Sequence, residues 1–174
     1  SNLDASSGRN LFSGATILWD AGQILQTTSP ASRTIYTATR ANKVLTNPLV
    51  RMDFTAANAA ALAQFLQDTN NDSGGLINFI RGQGFGAGAN WKLGDINHST
   101  PIIVGPPNKD PVLMGSGYAG FIAANASRAK VLYVGANDGM LHCFDVTTGA
   151  ELWGFIPYNL LPKLTSQWPV DSIN

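Results

Sequence analysis

Two histidines, His98 and His142, are the side chains best suited to acid–base chemistry or to binding zinc. Catalytic zinc needs about three protein ligands, and the sequence has neither a His-x-x-x-His nor a Cys-x-x-Cys spacing. A hydrolytic pair of His98 and Ser99 is disfavoured, because adjacent side chains on an extended strand point to opposite faces. We expect both histidines to make structural hydrogen bonds, with Asp95 and His98 organising one turn.

One acidic loop has the residue types of a calcium site. Asp68, Asn70 and Asp72 place side-chain oxygens at every second position, as a calcium-binding loop requires. Ser73, however, stands where the sharp turn needs glycine, and Phe79 stands where a bidentate carboxylate is needed. We therefore predict a polar turn between two helices and assign no residue to a metal.

The remaining chemical motifs are weaker. The glycine-rich segment Gly82–Gly88 lacks both the Lys-Ser/Thr ending of a phosphate-binding loop and the dinucleotide-binding spacing. Arg81-Gly82-Gln83 lacks the carboxylate of an integrin-binding tripeptide. The single cysteine, Cys143, has apolar neighbours, which predict a buried and unreactive thiol. No residue is assigned a catalytic, cofactor-binding or metal-binding role, and no cofactor is expected.

Composition narrows the class of protein. Charged residues make up 13% of the 174 residues, with 11 basic and 11 acidic side chains. No basic stripe indicates nucleic acid, and no polybasic run indicates an anionic membrane. No apolar stretch reaches the ~20 residues that span a bilayer, and the first residues have no signal-peptide pattern. We expect one domain or a domain fragment, with no membrane span.

The elements that position these residues fall into two parts. Residues 14–95 mix strands and helices, residues 96–157 are chiefly strands, and residues 158–174 begin a further segment. In the first part we predict a short helix near 19–25, a strand at 33–38 with its partner at 49–54, a helix over about 55–67 capped by Asp53 or Thr55, and a second helix at 76–81 that Gly82 ends.

The second part has the pattern of a β-meander. Strands are predicted at about 101–105, 131–135, 140–145 and 151–156, and the last three are joined by turns at Asn137–Gly139 and Thr147–Gly149. An insertion at about 108–127 separates the first two strands and carries a helical turn packed by Tyr118, Phe121 and Ile122. Four consecutive antiparallel strands are one propeller blade. The predicted fold class is mainly β with helical insertions (α+β), a partial β-propeller.

A lone blade has open edges and two uncovered apolar faces. Two solutions remain open. The helices and strands of residues 14–95 cover one face, or the sheet pairs with another copy or with the missing blades. We predict that the isolated chain self-associates through its sheet edges.

Three motifs together resemble a known family: Gly94-Asp-Ile-Asn-His-Ser-Thr-Pro101, Tyr133-Val-Gly-Ala-Asn-Asp-Gly-Met-Leu-His142 and Phe155-Ile-Pro157. They resemble the N-terminal portion of the β-propeller domain of the PilY/PilC family, the tip-associated adhesins of bacterial type IV pili. The resemblance implies a non-enzymatic module of the bacterial cell surface, at the pilus tip. Its implied partners are pilus or minor pilin proteins, host or abiotic surfaces, and the remaining blades.

A second resemblance leaves an alternative function open. The stretch Asp145–Trp153 is similar to the repeats of quinoprotein dehydrogenase propellers, which would make the chain a fragment of a propeller oxidoreductase. That chemistry needs a funnel of charged residues and calcium ligands, which the sequence does not show. Relatives in the pilus family carry a calcium loop of alternating aspartates followed by glycine, and no stretch here matches it. Since quinone chemistry is not indicated, Trp153 is predicted to pack at the contact between adjacent blades.

Overall fold

The computed structural model describes residues 2–4, 9–11, 16–68, 71–84 and 91–167. The strands are β1 (Asn2–Asp4), β2 (Arg9–Leu11), β3 (Ile35–Arg40), β4 (Leu49–Asp53), β5 (Ile102–Val104), β6 (Val131–Gly135), β7 (Leu141–Asp145) and β8 (Glu151–Ile156). The α-helices are α1 (Ala21–Thr27), α2 (Ala59–Leu66), α3 (Ser73–Ile80), α4 (Pro111–Met114) and α5 (Tyr118–Ala124). Short 3₁₀ segments lie at Pro30–Ser32, Ala41–Lys43, Ala56–Asn58 and Tyr158–Gln167.

A six-stranded open sheet in the order β4-β3-β8-β7-β6-β5 organises the molecule, and β1 and β2 form a separate antiparallel pair. Strands β5 to β8 follow one another in chain order as an antiparallel meander. Strand β3 pairs in parallel with β8 and in antiparallel with β4. The sheet thus joins the two predicted parts, so it continues across the boundary expected near residues 95–96. The three-part division itself stays a prediction.

One face of the sheet is covered by helices; we call it the inner face. It carries Ile35, Thr37, Val134, His142, Phe144 and Ile156, all of them buried. Side chains of α2, α3 and the final 3₁₀ segment pack there in one cluster, including Leu62, Leu76 and Leu161. Leu25 of α1 packs with Val134 and Phe144 in a second cluster. Helical cover therefore solves the packing problem for this face alone.

The helix before the acidic loop begins later than the sequence predicts. Asp53 is still the last residue of β4, and its carbonyl accepts hydrogen bonds from the Thr55 N–H and the Asn58 side chain. Thr55 precedes a 3₁₀ turn and makes no capping bond with its side chain. The predicted cap at Asp53 or Thr55 is wrong, because the strand continues to Asp53 and a 3₁₀ turn comes before α2.

The next helix has clear signals at both ends. Asp72 caps α3, since its Oδ1 accepts the Gly75 N–H at 2.8 Å, and the helix begins at Ser73 instead of Leu76. Gly82 has φ of 99° and ends the helix as predicted. Its N–H donates to Phe79 O, and the next N–H donates to Asn78 O, the paired bonds of a Schellman motif.

The insertion between β5 and β6 differs from its prediction. It forms two short helices, α4 and α5, where one helical turn was predicted. The rings of Tyr118 and Phe121 stack with centroids 5.6 Å apart, yet α5 buries no residue. The position of α5 and the stacking of Tyr118 on Phe121 agree with the predicted helical turn. Among the helices in the described ranges, none combines the length and apolar character that crossing a bilayer requires.

The turn between β7 and β8 gives a test of the fold. Gly149 has φ of 71°, and a Cβ atom there would lie 2.6 Å from the Trp19 ring. We expect Gly149→Ala to lower the free energy of unfolding by about 3 kcal/mol, because it adds left-handed strain to a steric clash.

Gly117→Ala is the matched control, since a Cβ at Gly117 meets no atom within 4 Å. Urea denaturation of both variants measures the effect. Equal stability of the two variants would show that Trp19 does not pack on this turn.

Candidate functional site

The most concentrated chemistry lies in a buried chain of charged side chains on the inner face. His142 of β7 is at 0% exposure. Its Nδ1 lies 2.8 Å from Glu151 Oε1, and its Nε2 lies 2.9 Å from Asp138 Oδ2. Asp138 belongs to the β6–β7 turn and Glu151 begins β8, so the imidazole bridges a turn and the neighbouring strand.

Two arginines continue this network towards the N-terminal part. Arg33 contacts Glu151 through Nε–Oε2 at 2.8 Å and Nη2–Oε1 at 2.9 Å, with the two side chains at 0% and 2% exposure. Its Nη1 donates to the carbonyl of Arg81. The Arg81 guanidinium in turn donates to carbonyls of Phe54, Pro30 and Arg33. The network therefore ties the end of α3 and the entry to β3 to the meander.

The geometry fixes the charge states of the central pair. Burial alone would lower the pKa of His142, but hydrogen bonds and charges from Asp138 and Glu151 outweigh it and raise that pKa to about 9. Burial would raise the pKa of Glu151, but Arg33 and His142 lower it to about 2. At neutral pH the imidazolium donates from both nitrogens, and Glu151 is a carboxylate.

This arrangement supports structure better than catalysis. His142 has no exposed surface, and both of its ring nitrogens are already paired. Within the described residues, every buried side-chain nitrogen and oxygen has a hydrogen-bond partner. A substrate would have to displace an existing ion pair to reach the imidazole. The expectation that His142 makes structural hydrogen bonds agrees with this geometry.

The motif around His98 contacts the same turn. Asp95 O accepts the Asn137 N–H at 3.0 Å, and the Gly94 N–H donates to Asp138 Oδ2 at 3.0 Å. His98 itself is exposed with φ of 59°. The neighbouring Ser99 Oγ accepts the Gly135 N–H at 3.1 Å, so this hydroxyl secures β6.

The other candidate residues also have structural places. Asp72 caps α3, and Asp68 Oδ2 lies 3.5 Å from Ser73 Oγ, while Asn70 lies outside the described residues. Across the residues that the structure describes, no group of three or more His, Cys, Asp or Glu side chains is placed to hold a metal ion. Cys143 is buried, and its burial raises the pKa of the thiol.

A cleft of about 370 Å³ lies beside this network. It is lined by Gly82, Gly84, Trp91, Lys92 and Asp138, among others, and residues 85–88 of the predicted glycine-rich segment lie outside the described ranges. Lys92 Nζ donates to Gln26 O at 3.0 Å, and burial together with Arg33 lowers the pKa of Lys92. The charged groups of the cleft are thus engaged with protein partners.

The second candidate surface is the sheet face opposite the inner face, which we call the open face. It carries Tyr36, Tyr133, Leu141, Trp153 and Phe155, which share one side of the sheet by register. Tyr133 and Trp153 have ring centroids 5.7 Å apart, and Leu141 is 37% exposed. No helical cluster covers this face among the described residues. It offers a broad aromatic surface for packing.

Sequence reasoning did not identify the arginine and glutamate members of the network. A signal was present, because charged residues are few and Arg81 and Glu151 both adjoin apolar runs. The segments Leu76-Ile-Asn-Phe-Ile-Arg81 and Glu151-Leu-Trp-Gly-Phe-Ile156 show this pattern. A charge at the end of a buried element needs a partner. Arg33 stands 118 positions from Glu151, so nothing local indicates their pairing.

Comparison with known proteins finds similarity to type IV pilus biogenesis factors. A family model described as the PilY1 beta-propeller domain matches residues 93–165. The chain is 35% identical over 161 residues to the type IV pilus biogenesis factor PilY1 of Pseudomonas aeruginosa UCBPP-PA14, covering 84% of this chain and 14% of that relative. A PilY1 homolog of Xylella fastidiosa Temecula1 is 48% identical over 77 residues, covering 41% of this chain and 6% of the relative. No solved structure matches.

Breaking the buried ion pair should be costly. We expect Arg33→Met to lower the free energy of unfolding by about 3–5 kcal/mol, because Glu151 would keep a buried charge without its guanidinium. The matched control is Arg51→Met, whose contact with Asp53 is 3.7 Å long between side chains that are 70% and 57% exposed.

The control should cost about 1 kcal/mol or less. Chemical denaturation of both variants at the same pH measures the difference. Equal losses in the two variants would show that the buried Arg33–Glu151 pair stabilises the fold no more than the exposed Arg51–Asp53 pair.

The same network predicts how stability depends on pH. His142 contributes fully below the unfolded pKa of 6.5, and this contribution is lost as the pH rises through about 9. Glu151 contributes fully above the unfolded pKa of 4.5, and this contribution is lost as the pH falls through about 2. We therefore expect the stability from this pair to be highest between pH 4.5 and 6.5 and to fall on the alkaline side.

Urea midpoints at about pH 6 and about pH 9.5 check this expectation, with the larger midpoint at the lower pH. His142→Gln removes the titrating group and should flatten the alkaline fall, whereas His98→Gln, at an exposed position, should leave it unchanged. A flat wild-type profile across this range would show that His142 is not charged in the folded state.

Proposed function

Because the chain belongs to the PilY1 family, we propose that it is a non-enzymatic scaffold module of a type IV pilus surface protein. The relatives are named type IV pilus biogenesis factors, and this chain spans only 14% of the first of them. The proposed role is therefore that of one part of a larger parent protein. The implied location is the bacterial cell surface, at the pilus tip.

The open face is the observation that carries this proposal. The four-stranded meander has one face closed by helices, and its other face presents aromatic rings. This arrangement supports a propeller blade with room for a neighbour. We propose that β5 to β8 are one complete blade and that Trp153 and Tyr133 pack against an adjacent blade of the parent. In this proposal the stretch Asp145–Trp153 serves in packing between blades.

A scaffold role also fits the chemistry of the buried network. Its charged groups pair with one another, so they stabilise the blade and leave the loops free to contact partners. The proposed partners are pilus or minor pilin proteins, host or abiotic surfaces, and the remaining blades of the parent. The most specific function that we propose is adhesion at the pilus tip.

The alternative, a quinoprotein-type propeller oxidoreductase, gains no support from the relatives, which are pilus biogenesis factors. A direct assay separates the two functions. Pyrroloquinoline quinone with Ca²⁺ should neither bind to the protein nor support dye reduction. Clear dye reduction would overturn the scaffold proposal.

The proposal is tested in a bacterium whose PilY1-family protein carries this segment. Trp153→Glu places a carboxylate on the open face, and we expect it to reduce surface pili and attachment at least about tenfold, because an unpaired charge disfavours packing between sheets. Leu18→Glu is the control, since Leu18 is 83% exposed and belongs to no strand of the sheet.

The amount of parent protein and its protease resistance are measured with both variants. Leu141→Asn, a milder change on the same face, gives a second reading if Trp153→Glu prevents folding. Normal piliation and attachment with both open-face variants would contradict the proposal.

A further inference from the structure

The connection between β5 and β6 exposes an unusual amount of apolar surface. We call residues 111–124 the apolar hairpin; it comprises α4, the glycine-containing link and α5. Val112 is 88% exposed, Leu113 82%, Met114 55% and Phe121 45%. Isolated exposed apolar residues are ordinary, but four of them within one short segment form a patch that usually marks a contact surface.

The chemistry of the hairpin restricts what can cover it. Residues 111–127 contain no Asp, Glu, Lys or Arg. A partner therefore gains nothing from opposite charge here and must offer an apolar surface of its own. Cβ atoms added at Gly115, Gly117 and Gly120 would meet no other atom within 4 Å, so the space in front of the link is empty. Close approach of another backbone is thus possible along the link.

The position of the hairpin indicates the direction of this partner. β5 is the last strand at one end of the sheet, and its Ile102 and Ile103 are 60% and 58% exposed. Residues 105–110 link β5 to the hairpin, so both exposed apolar regions belong to the chain that leaves this edge of the sheet. Among the described residues, no strand pairs with the outer side of β5.

We propose that the apolar hairpin docks onto an apolar surface of the parent protein that lies outside residues 1–174, on the β5 side of the sheet. The chain spans 14% of the P. aeruginosa relative, so most of such a parent lies beyond it. A surface in the same polypeptide is tethered close to the hairpin, and this raised effective concentration favours it over a free partner. This inference rests on the proposed role as one blade of a larger propeller.

Hydrogen exchange with mass spectrometry compares the 174-residue chain with the full-length parent. We expect amides of residues 111–124 to exchange at least about tenfold more slowly in the parent, because docking suppresses local opening of these short helices. β7, at Leu141–Asp145, is the internal control and should be protected in both proteins. Equal exchange of residues 111–124 in the two proteins would overturn the proposal.

A variant separates docking from general rigidity. Leu113→Glu in the parent should restore fast exchange of residues 111–124, whereas Leu18→Glu, at a position of matched exposure (82% against 83%), should not. Leu113→Glu in the 174-residue chain should leave its unfolding midpoint unchanged. If the parent with Leu113→Glu does not fold, the exchange comparison between the wild-type parent and the 174-residue chain decides the proposal.

If a second copy or a lipid surface covers the hairpin, hydrogen exchange gives a different pattern. Protection that rises with protein concentration would assign the hairpin to a second copy and overturn the proposal. Protection that appears only after adding vesicles of phosphatidylcholine with phosphatidylglycerol would assign it to a lipid surface, with the same consequence. Because these readings do not depend on piliation, their failure is distinguishable from failure of the scaffold role.

Discussion

Compensation of buried charge is the constraint on which the rest of this structure depends. Glu151 and Asp138 place two carboxylates against the inner face, and His142 and Arg33 supply two positive charges to them. Transferring any one of these charges from water into the sheet alone would cost several kcal/mol. Each charge is tolerated because it is paired with an opposite charge. The partners come from different elements of the fold. The network therefore requires the meander, the entry to β3 and the end of α3 to be present together.

That requirement explains the asymmetry of the sheet. The inner face is closed by helices that bring Arg81 and its backbone partners into place, so it excludes water around the charged groups. Among the residues that the structure describes, the opposite face shows no comparable polar network and carries aromatic side chains instead. In the proposed scaffold, one face stabilises the unit and the other packs against a neighbouring sheet. A scaffold assembled from several sheets needs this division, because each sheet must be stable before it contacts the next.

Local sequence patterns were sufficient for much of this architecture. The turns at Asn137–Gly139 and Thr147–Gly149 indicated the hairpins of the meander, and Gly82 indicated the end of α3, since positive φ there requires glycine. The parallel pairing of β3 with β8 was not predictable in the same way. It joins strands far apart in the chain, and no periodicity within either strand specifies a distant neighbour. The contact between Arg33 and Glu151 was hidden for the same reason.

The charge network extends beyond the segment matched by the family model. Residues 93–165 contain Asp138, His142 and Glu151, but Arg33 and Arg81 lie before that range. Without Arg33, the partly buried carboxylate of Asp138 and the buried carboxylate of Glu151 would face a single imidazolium, leaving one uncompensated negative charge. The match to the P. aeruginosa relative extends over 84% of the chain, as expected if both arms of the network belong to one unit. We therefore propose that the meander and the preceding helices form one folding unit and not a blade with an appendage.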